Sequence, residues 1–264
     1  MMTDKPKETL ELTKFYEKID KQHMTPLWSV LGDLVTPEPR SGCQAFGWRF
    51  SAVRRAMIEA GDLITAKEAE RRVLILENPG LRGQSRITTS LYAGIQLVLP
   101  GEVAPAHRHT QSALRFVLEG EGAHTAVNGE KTTMRYGDFV ITPPMAWHDH
   151  GNETDEPMFW IDGLDIPVVS FLDASFAEGL GEDEQEITKE DGQSYAEFGH
   201  ALMPEGTERS GVSPIFNYPY ARSRDTLDAM ARGRDLDPCH GWKLRYTCLL
   251  YTSDAADEED SVDL

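Results

Sequence analysis

Cysteine is scarce in this sequence, basic residues are outnumbered, and no long apolar run is present. The three cysteines, Cys43, Cys239 and Cys248, lie far apart with no paired spacing. Neither a disulfide framework nor a cysteine-based zinc site is therefore indicated. Lys and Arg total 26 against 44 Asp and Glu, a formal charge of −18. A nucleic-acid or anionic-membrane surface needs a basic face, so this balance argues against both partners. No apolar run approaches the ~18 residues that suggest a membrane span. The amino-terminal MMTDKPKETLELTKF is charged and lacks the apolar core of a secretory signal. A cytoplasmic protein is the expectation. Its 264 residues allow one large domain or two small ones, with ample material for a core.

The acidity is uneven. The last 17 residues, Cys248 to Leu264, hold Asp254, Asp257, Glu258, Glu259, Asp260 and Asp263 and no Lys or Arg; without them the charge is −12. A second acidic stretch, Glu178 to Asp191, reads as a solvated linker. Neither block has the spacing of a metal-binding loop.

Residues 1–75 read as a helical and extended arm. Phe50, Val53, Met57 and Ile58 fall near helical spacing between Arg49 and Ala60, and Gly61 is placed to stop that helix. Thr65 followed by Glu68 is a capping-box pattern. Before them, Pro26, Pro37 and Pro39 suggest an extended arm anchored by Trp28, Phe46 and Trp48. After Arg72 the texture changes to short apolar runs separated by Gly, Pro and Asn. Strands are expected at 73–77, 87–99, 113–118, 123–127, 131–134, 139–142 and 158–164. Asn128-Gly129 marks a two-residue hairpin between two of them. Many short strands at such spacing imply a mainly β sandwich or barrel. Beyond Gly192 the pattern loosens, with a helix expected over 226–232.

The chemistry concentrates in Gly101-Glu-Val-Ala-Pro-Ala-His107-Arg-His109. Residues two apart on a strand share a face, so both imidazoles leave the same side. A third imidazole, His148, follows the Pro143-Pro144 turn. If a barrel sets these strands side by side, three nitrogens meet one face of a metal and the opposite positions stay open, as a catalytic site requires. His150 shares the parity of His148, so the spacing alone leaves either as the third ligand. Arg115, two residues past Ala113, lies on the same face and suits bidentate capture of a carboxylate. Its bland alternative is a wall arginine paired with an acid. Gln96, Gly94 and Tyr92 share one parity and offer an amide, a gap and an aromatic wall, although Tyr92 is equally at home as core packing.

Gly101-x5-His107-x-His109-x3-Ala113-x6-Gly120 and Gly137-x5-Pro143-x-Met145-x2-His148-x3-Asn152 resemble the two cupin motifs. Two departures stand out: Ala113 replaces the usual glutamate ligand and Met145 a glycine. The resemblance implies a cupin jelly-roll β-barrel. The runs LYAGIQLVLPGEVAPAHRHTQSALRFVLEGEGAHTAVNGE, GDFVITPPMAWHDHGN and FWIDGLDIP are closer still to gentisate 1,2-dioxygenases, a family that includes salicylate and 1-hydroxy-2-naphthoate dioxygenases. That likeness, from about Pro26 to about Thr247, implies Fe(II) held by His107, His109 and His148. It also implies substrate-pocket roles for Arg71, Gln96, Arg115, His150 and Asp162.

The implied reaction joins O2 to an aromatic hydroxy-carboxylate and opens the ring between the carboxyl- and hydroxyl-bearing carbons. Arg115 and Arg71 would hold the carboxylate. His150 would orient or deprotonate a hydroxyl, with Asp162 behind it. A metal-dependent sugar isomerase and a non-catalytic ligand-binding cupin are the competing classes, and the missing glutamate speaks against the isomerase. The family implies two cupins in one chain and a homotetramer. Here the expectation is a first cupin at 76–172, an acidic linker and the start of an incomplete second cupin at 173–247. Residues 248–264 do not resemble the family and read as translated adaptor sequence.

Overall fold

The apolar runs after Arg72 become antiparallel strands in the computed structural model, which describes residues 9–200, 204–205 and 212–246. The tail expected to be foreign, 248–264, lies outside the described residues. The strands are β1 (Val73–Ile75), β2 (Tyr92–Val98), β3 (Val103–His109), β4 (Ala113–Glu119), β5 (Glu121–Val127) and β6 (Glu130–Arg135). They continue with β7 (Phe139–Thr142), β8 (His148–Gly151), β9 (Met158–Leu164), β10 (Ala177–Gly179) and β11 (Asn217–Tyr218). One sheet runs β1-β2-β9-β4-β7-β11 and the other β10-β3-β8-β5-β6. Two such antiparallel sheets face to face form the cupin jelly roll that the motifs implied.

Alternation decides which side chains face inward. Val98, Val117, Ala123, Met134, Val140, Met158 and Trp160 form a dry core. On the outer face of the six-stranded sheet, Ile95, Leu97 and Phe159 pack with Leu76 and with Met57 of the helix Phe50–Leu63. Two helices, α1 (Leu10–Asp20) and α2 (Leu27–Leu34), belong to a first compact unit, Met1–Gly42; the second unit starts at Cys43. Helices α3 (Phe50–Leu63) and α4 (Ala66–Ala69) lie in the second unit, although the sequence groups them with the arm. In the first unit Trp28 is exposed and its indole N–H donates to Tyr16 Oη at 2.9 Å. Phe46 is exposed as well, so of the three expected anchors only Trp48 packs into a core cluster.

Several boundaries differ from expectation for physical reasons. Helix α3 continues through Gly61 to Leu63. A Cβ at Gly61 would lie 3.1 Å from Leu99 Cδ1, so this glycine permits close helix–sheet approach and does not end the helix. Residues 87–91 form a turn closed by Ile87 N–H to Leu91 O, 3.0 Å, so β2 begins only at Tyr92. Strand β8 is absent from the expected set because His-Asp-His-Gly carries no apolar alternation, yet all four residues are buried. The capping box at Thr65 and Glu68 is formed, and the helix expected at 226–232 runs from Tyr220 to Gly233.

The acidic stretch is solvated in its side chains but not free in its backbone. Strand β10 pairs with β3, Leu180 N–H donates to Ala106 O at 3.0 Å, and Gln185 binds both Gly129 N–H and Asp149 Oδ2. Among the described residues no helix is long and apolar enough to cross a membrane.

At the β5–β6 hairpin Asn128 and Gly129 both adopt positive φ, 46° and 81°, the pair that a type I′ turn demands. A side chain at Gly129 would also collide with Thr188. Gly129→Ala is expected to cost about 1–2 kcal/mol, read as a lower denaturation midpoint at an unchanged m-value.

Candidate metal centre and its pocket

The pairing of β3 with β8 builds the centre. His107 lies opposite His148, while a register shift between Ala104 and His107 lets the strand bend there. His109 follows on the same face two residues on. The ligand atoms of His107, His109 and His148 lie within 4.8 Å of one another. Their rings pack at centroid distances of 4.2–5.3 Å.

The donor set fits a metal. His109 Nδ1 sits 2.9 Å from Gln111 O, His148 Nδ1 2.9 Å from Ala146 O, and His107 Nδ1 3.3 Å from Pro105 O. A carbonyl can only accept, so at His109 and His148 the contact favours the Nδ1–H tautomer and leaves Nε2 as the lone-pair donor, whereas Nδ1 of His107 also meets the donor-only guanidinium of Arg71. Burial, reinforced by Arg71, holds His107 down to about 3; burial first, then Arg115, depresses His148 well below the usual range. Neutral imidazoles are the form that ligates. Met145, at the motif's glycine position, has φ 60° and donates its N–H to His109 O at 2.8 Å. A methionine thus accepts a left-handed backbone beside the centre.

The six-stranded sheet supplies the opposite wall. Gly94, Asp162 and Arg115 align across β2, β9 and β4. Arg115 is buried; its Nη1 donates to Thr142 Oγ1 at 2.6 Å, and its Nε lies 3.4 Å from Asp162 Oδ1 without a hydrogen bond. Trp160 Nε1 donates to the same Asp162 oxygen at 3.1 Å. Burial pushes Asp162 up to about 6 against the pull of Arg115 and Arg71. Arg71 donates to Pro105 O at 2.6 Å, lies against His107 Nδ1, and is lowered by burial to about 10. Tyr92 is pushed up to about 12 by burial and by Asp162, so it remains a phenol. A Cβ on Gly94 would meet the Tyr92 hydroxyl at 3.0 Å, which places that hydroxyl over the glycine gap. Gln96 is buried on the same face of β2. Beside Arg71 and His107 a cavity of about 530 Å³ is walled by β10, Glu182 and Asp183. Apart from that acid-lined cavity, the buried Arg115 and the half-buried Arg71 both act on the neutral imidazoles, a positive field suited to an anion.

Comparison with known proteins agrees with this geometry. A cupin-domain family model matches residues 94–166. The chain is 60% identical over 245 residues to gentisate 1,2-dioxygenase 1 of Aquipseudomonas alcaligenes, covering 92% of this chain and 71% of that one. It is 39% identical to a gentisate 1,2-dioxygenase of Streptomyces sp, covering 86% and 65%. The salicylate 1,2-dioxygenase of Pseudoaminobacter salicylatoxidans in adduct with gentisate superposes at a TM-score of 0.85, with 37% identity and coverage of 94% and 69%. The chain belongs to the gentisate 1,2-dioxygenase family. Members of this gentisate 1,2-dioxygenase family are ring-cleaving dioxygenases, and the chain spans roughly two thirds of the relatives' length.

One expected relation is corrected in this member of the gentisate 1,2-dioxygenase family. Asp162 does not stand behind His150: it engages Arg115 and Trp160, and what meets His150 Nδ1 is the Thr125 hydroxyl at 2.9 Å. The strand register decides this, because Thr125 lies opposite His150 whereas Asp162 lies opposite Arg115. Thr125, Thr142 and Trp160 are absent from the sequence-based list, since a threonine or tryptophan in a strand is unremarkable without its neighbour.

His148→Ala is expected to abolish stoichiometric metal binding and His150→Ala to leave it near one per chain, by elemental analysis after anaerobic loading. With His107 held near 3, protons compete only well below neutrality, so uptake is expected to be flat from about pH 6 to 8.

Proposed function

We propose that this chain binds Fe(II) through His107, His109 and His148 and cleaves gentisate with O2 between the carboxyl- and hydroxyl-bearing carbons. Both oxygen atoms enter the product, maleylpyruvate. The observation that supports this most is the convergence of the three imidazoles near the buried Arg115 and the half-buried Arg71. The names of the relatives point the same way.

When bound, iron with three protein ligands and open positions supplies Lewis acidity and a redox partner for dioxygen. The chain's own residues do the rest. Arg115 receives the substrate carboxylate; its unpaired Nε and its fork suit a bidentate anion, and Asp162 limits the cost of burying the charge while the site is empty. Arg71 adds a second cation at the His107 side. Tyr92, with its phenol intact, and Gly94 set the width of the ring slot, and Gln96 offers an amide. His150 accepts the proton of a substrate hydroxyl: burial, Arg115 and Arg71 keep it neutral and therefore basic in form. Trp160, 5.4 Å from the His150 ring, excludes water beneath it. Holding the carboxylate and both hydroxyls in one orientation converts a collision into a positioned reaction.

Anaerobic loading with Fe(II), followed by gentisate and air, is expected to give stoichiometric O2 uptake and a ring-opened product absorbing in the near ultraviolet. A folded, iron-loaded protein that consumes no O2 with gentisate defeats the proposal; turnover of salicylate alone would move the substrate to the monohydroxy acid. Arg115→Lys, which keeps charge but loses the fork, is expected to raise KM on the order of tenfold with a smaller change in kcat.

A further inference from the structure

Thr125 is fully buried on β5, directly opposite His150 on β8. Its hydroxyl lies 2.9 Å from His150 Nδ1 and donates to Met134 Sδ at 3.4 Å. A hydroxyl has one proton to give. With that proton directed at the thioether, the oxygen accepts from an Nδ1–H. Charge favours the same arrangement. Arg115 belongs to the opposite sheet, and both Arg115 and Arg71 act on the His150 ring. With the N–H turned toward Thr125 on β5, the lone pair is left on Nε2, the tautomer that meets two cations at least cost. His109 and His148 obtain the same tautomer from backbone carbonyls; His150 is served by a side chain and can therefore be altered by mutation.

We propose that Thr125 is a positioning residue: its hydroxyl accepts the Nδ1–H of His150 and thereby presents an unprotonated Nε2 to the substrate hydroxyl. This rests on the ring-cleavage reading given above. Thr125→Val keeps the shape and removes the acceptor; Thr125→Ser keeps the acceptor and removes a methyl group.

The first test is spectroscopic and needs neither iron nor turnover. Long-range proton–nitrogen NMR of the metal-free chain, with the His150 signals identified by their loss in His150→Gln, is expected to show the Nδ1–H pattern in the parent chain and in Thr125→Ser. Thr125→Val is expected to shift it toward Nε2–H. The second test is kinetic: in iron-loaded protein, Thr125→Val is expected to lose on the order of tenfold in kcat with KM for gentisate changed less than about twofold, while Thr125→Ser stays within about twofold of the parent. An Nε2–H pattern in the parent chain overturns the proposal. So does an unchanged kcat in Thr125→Val, or equal damage in the Val and Ser variants, which would mark a packing role. If the parent chain turns over no gentisate, the functional reading fails on its own account and the NMR comparison still decides the role of Thr125.

Discussion

Antiparallel pairing between β3 and β8 is the constraint on which the rest of this molecule depends. It sets His107 opposite His148 across the five-stranded sheet, and alternation then carries His109 to the same side. A one-residue slip of either strand would turn its imidazoles to the outer face and part His107 and His109 from His148. The register is held from both edges: β5 pairs with β8 from one side, while β10, drawn from the acidic stretch, pairs with β3 from the other. The tight Asn128-Gly129 turn fixes β5 against β6 in turn. The three-histidine cluster is therefore a property of the sheet as a whole.

The opposing sheet solves a different problem, which is how to keep a guanidinium buried. Arg115 is wholly enclosed, and an isolated charge there would be prohibitive. Asp162, directly across the strand pair, offsets part of that cost, yet its long 3.4 Å approach and the orphaned Arg115 Nε leave the guanidinium incompletely satisfied. Arg115 is thus the wall arginine paired with an acid, and its unsatisfied Nε is the feature on which the proposed carboxylate role rests. Burial meanwhile keeps the histidines neutral and Tyr92 protonated, so the pocket holds its positive character without competing protons on the imidazoles.

Much of this was legible in the residues. The His-x-His pair, the Pro143-Pro144 turn and the glycines at their offsets mark the metal strands because few other uses require that spacing. The inward parity of Arg115, Gln96, Gly94 and Tyr92 follows from period-two alternation and holds in the sheets. What failed did so where a residue has two physical uses. Gly61 can stop a helix or admit a neighbour, and only the approach of Leu99 shows that it does the second. The polar run of β8 has no apolar alternation to announce a strand, because both of its faces are buried among polar partners. The extra edge strand β10 carries exposed acidic side chains, so its backbone pairing leaves no trace in the pattern.

The sequence alone determined the class of chemistry: three imidazoles at motif spacing, a missing glutamate, an arginine on the facing strand, and acidity too general to recruit a polyanion. These follow from residue type and local period, which a linear chain displays directly. Which group stands behind which was decided only by the tertiary structure. Asp162 faces Arg115 and Thr125 faces His150 because of cross-strand registers between segments that are distant in the chain. Register is an interaction between two strands, and no single stretch of sequence contains it.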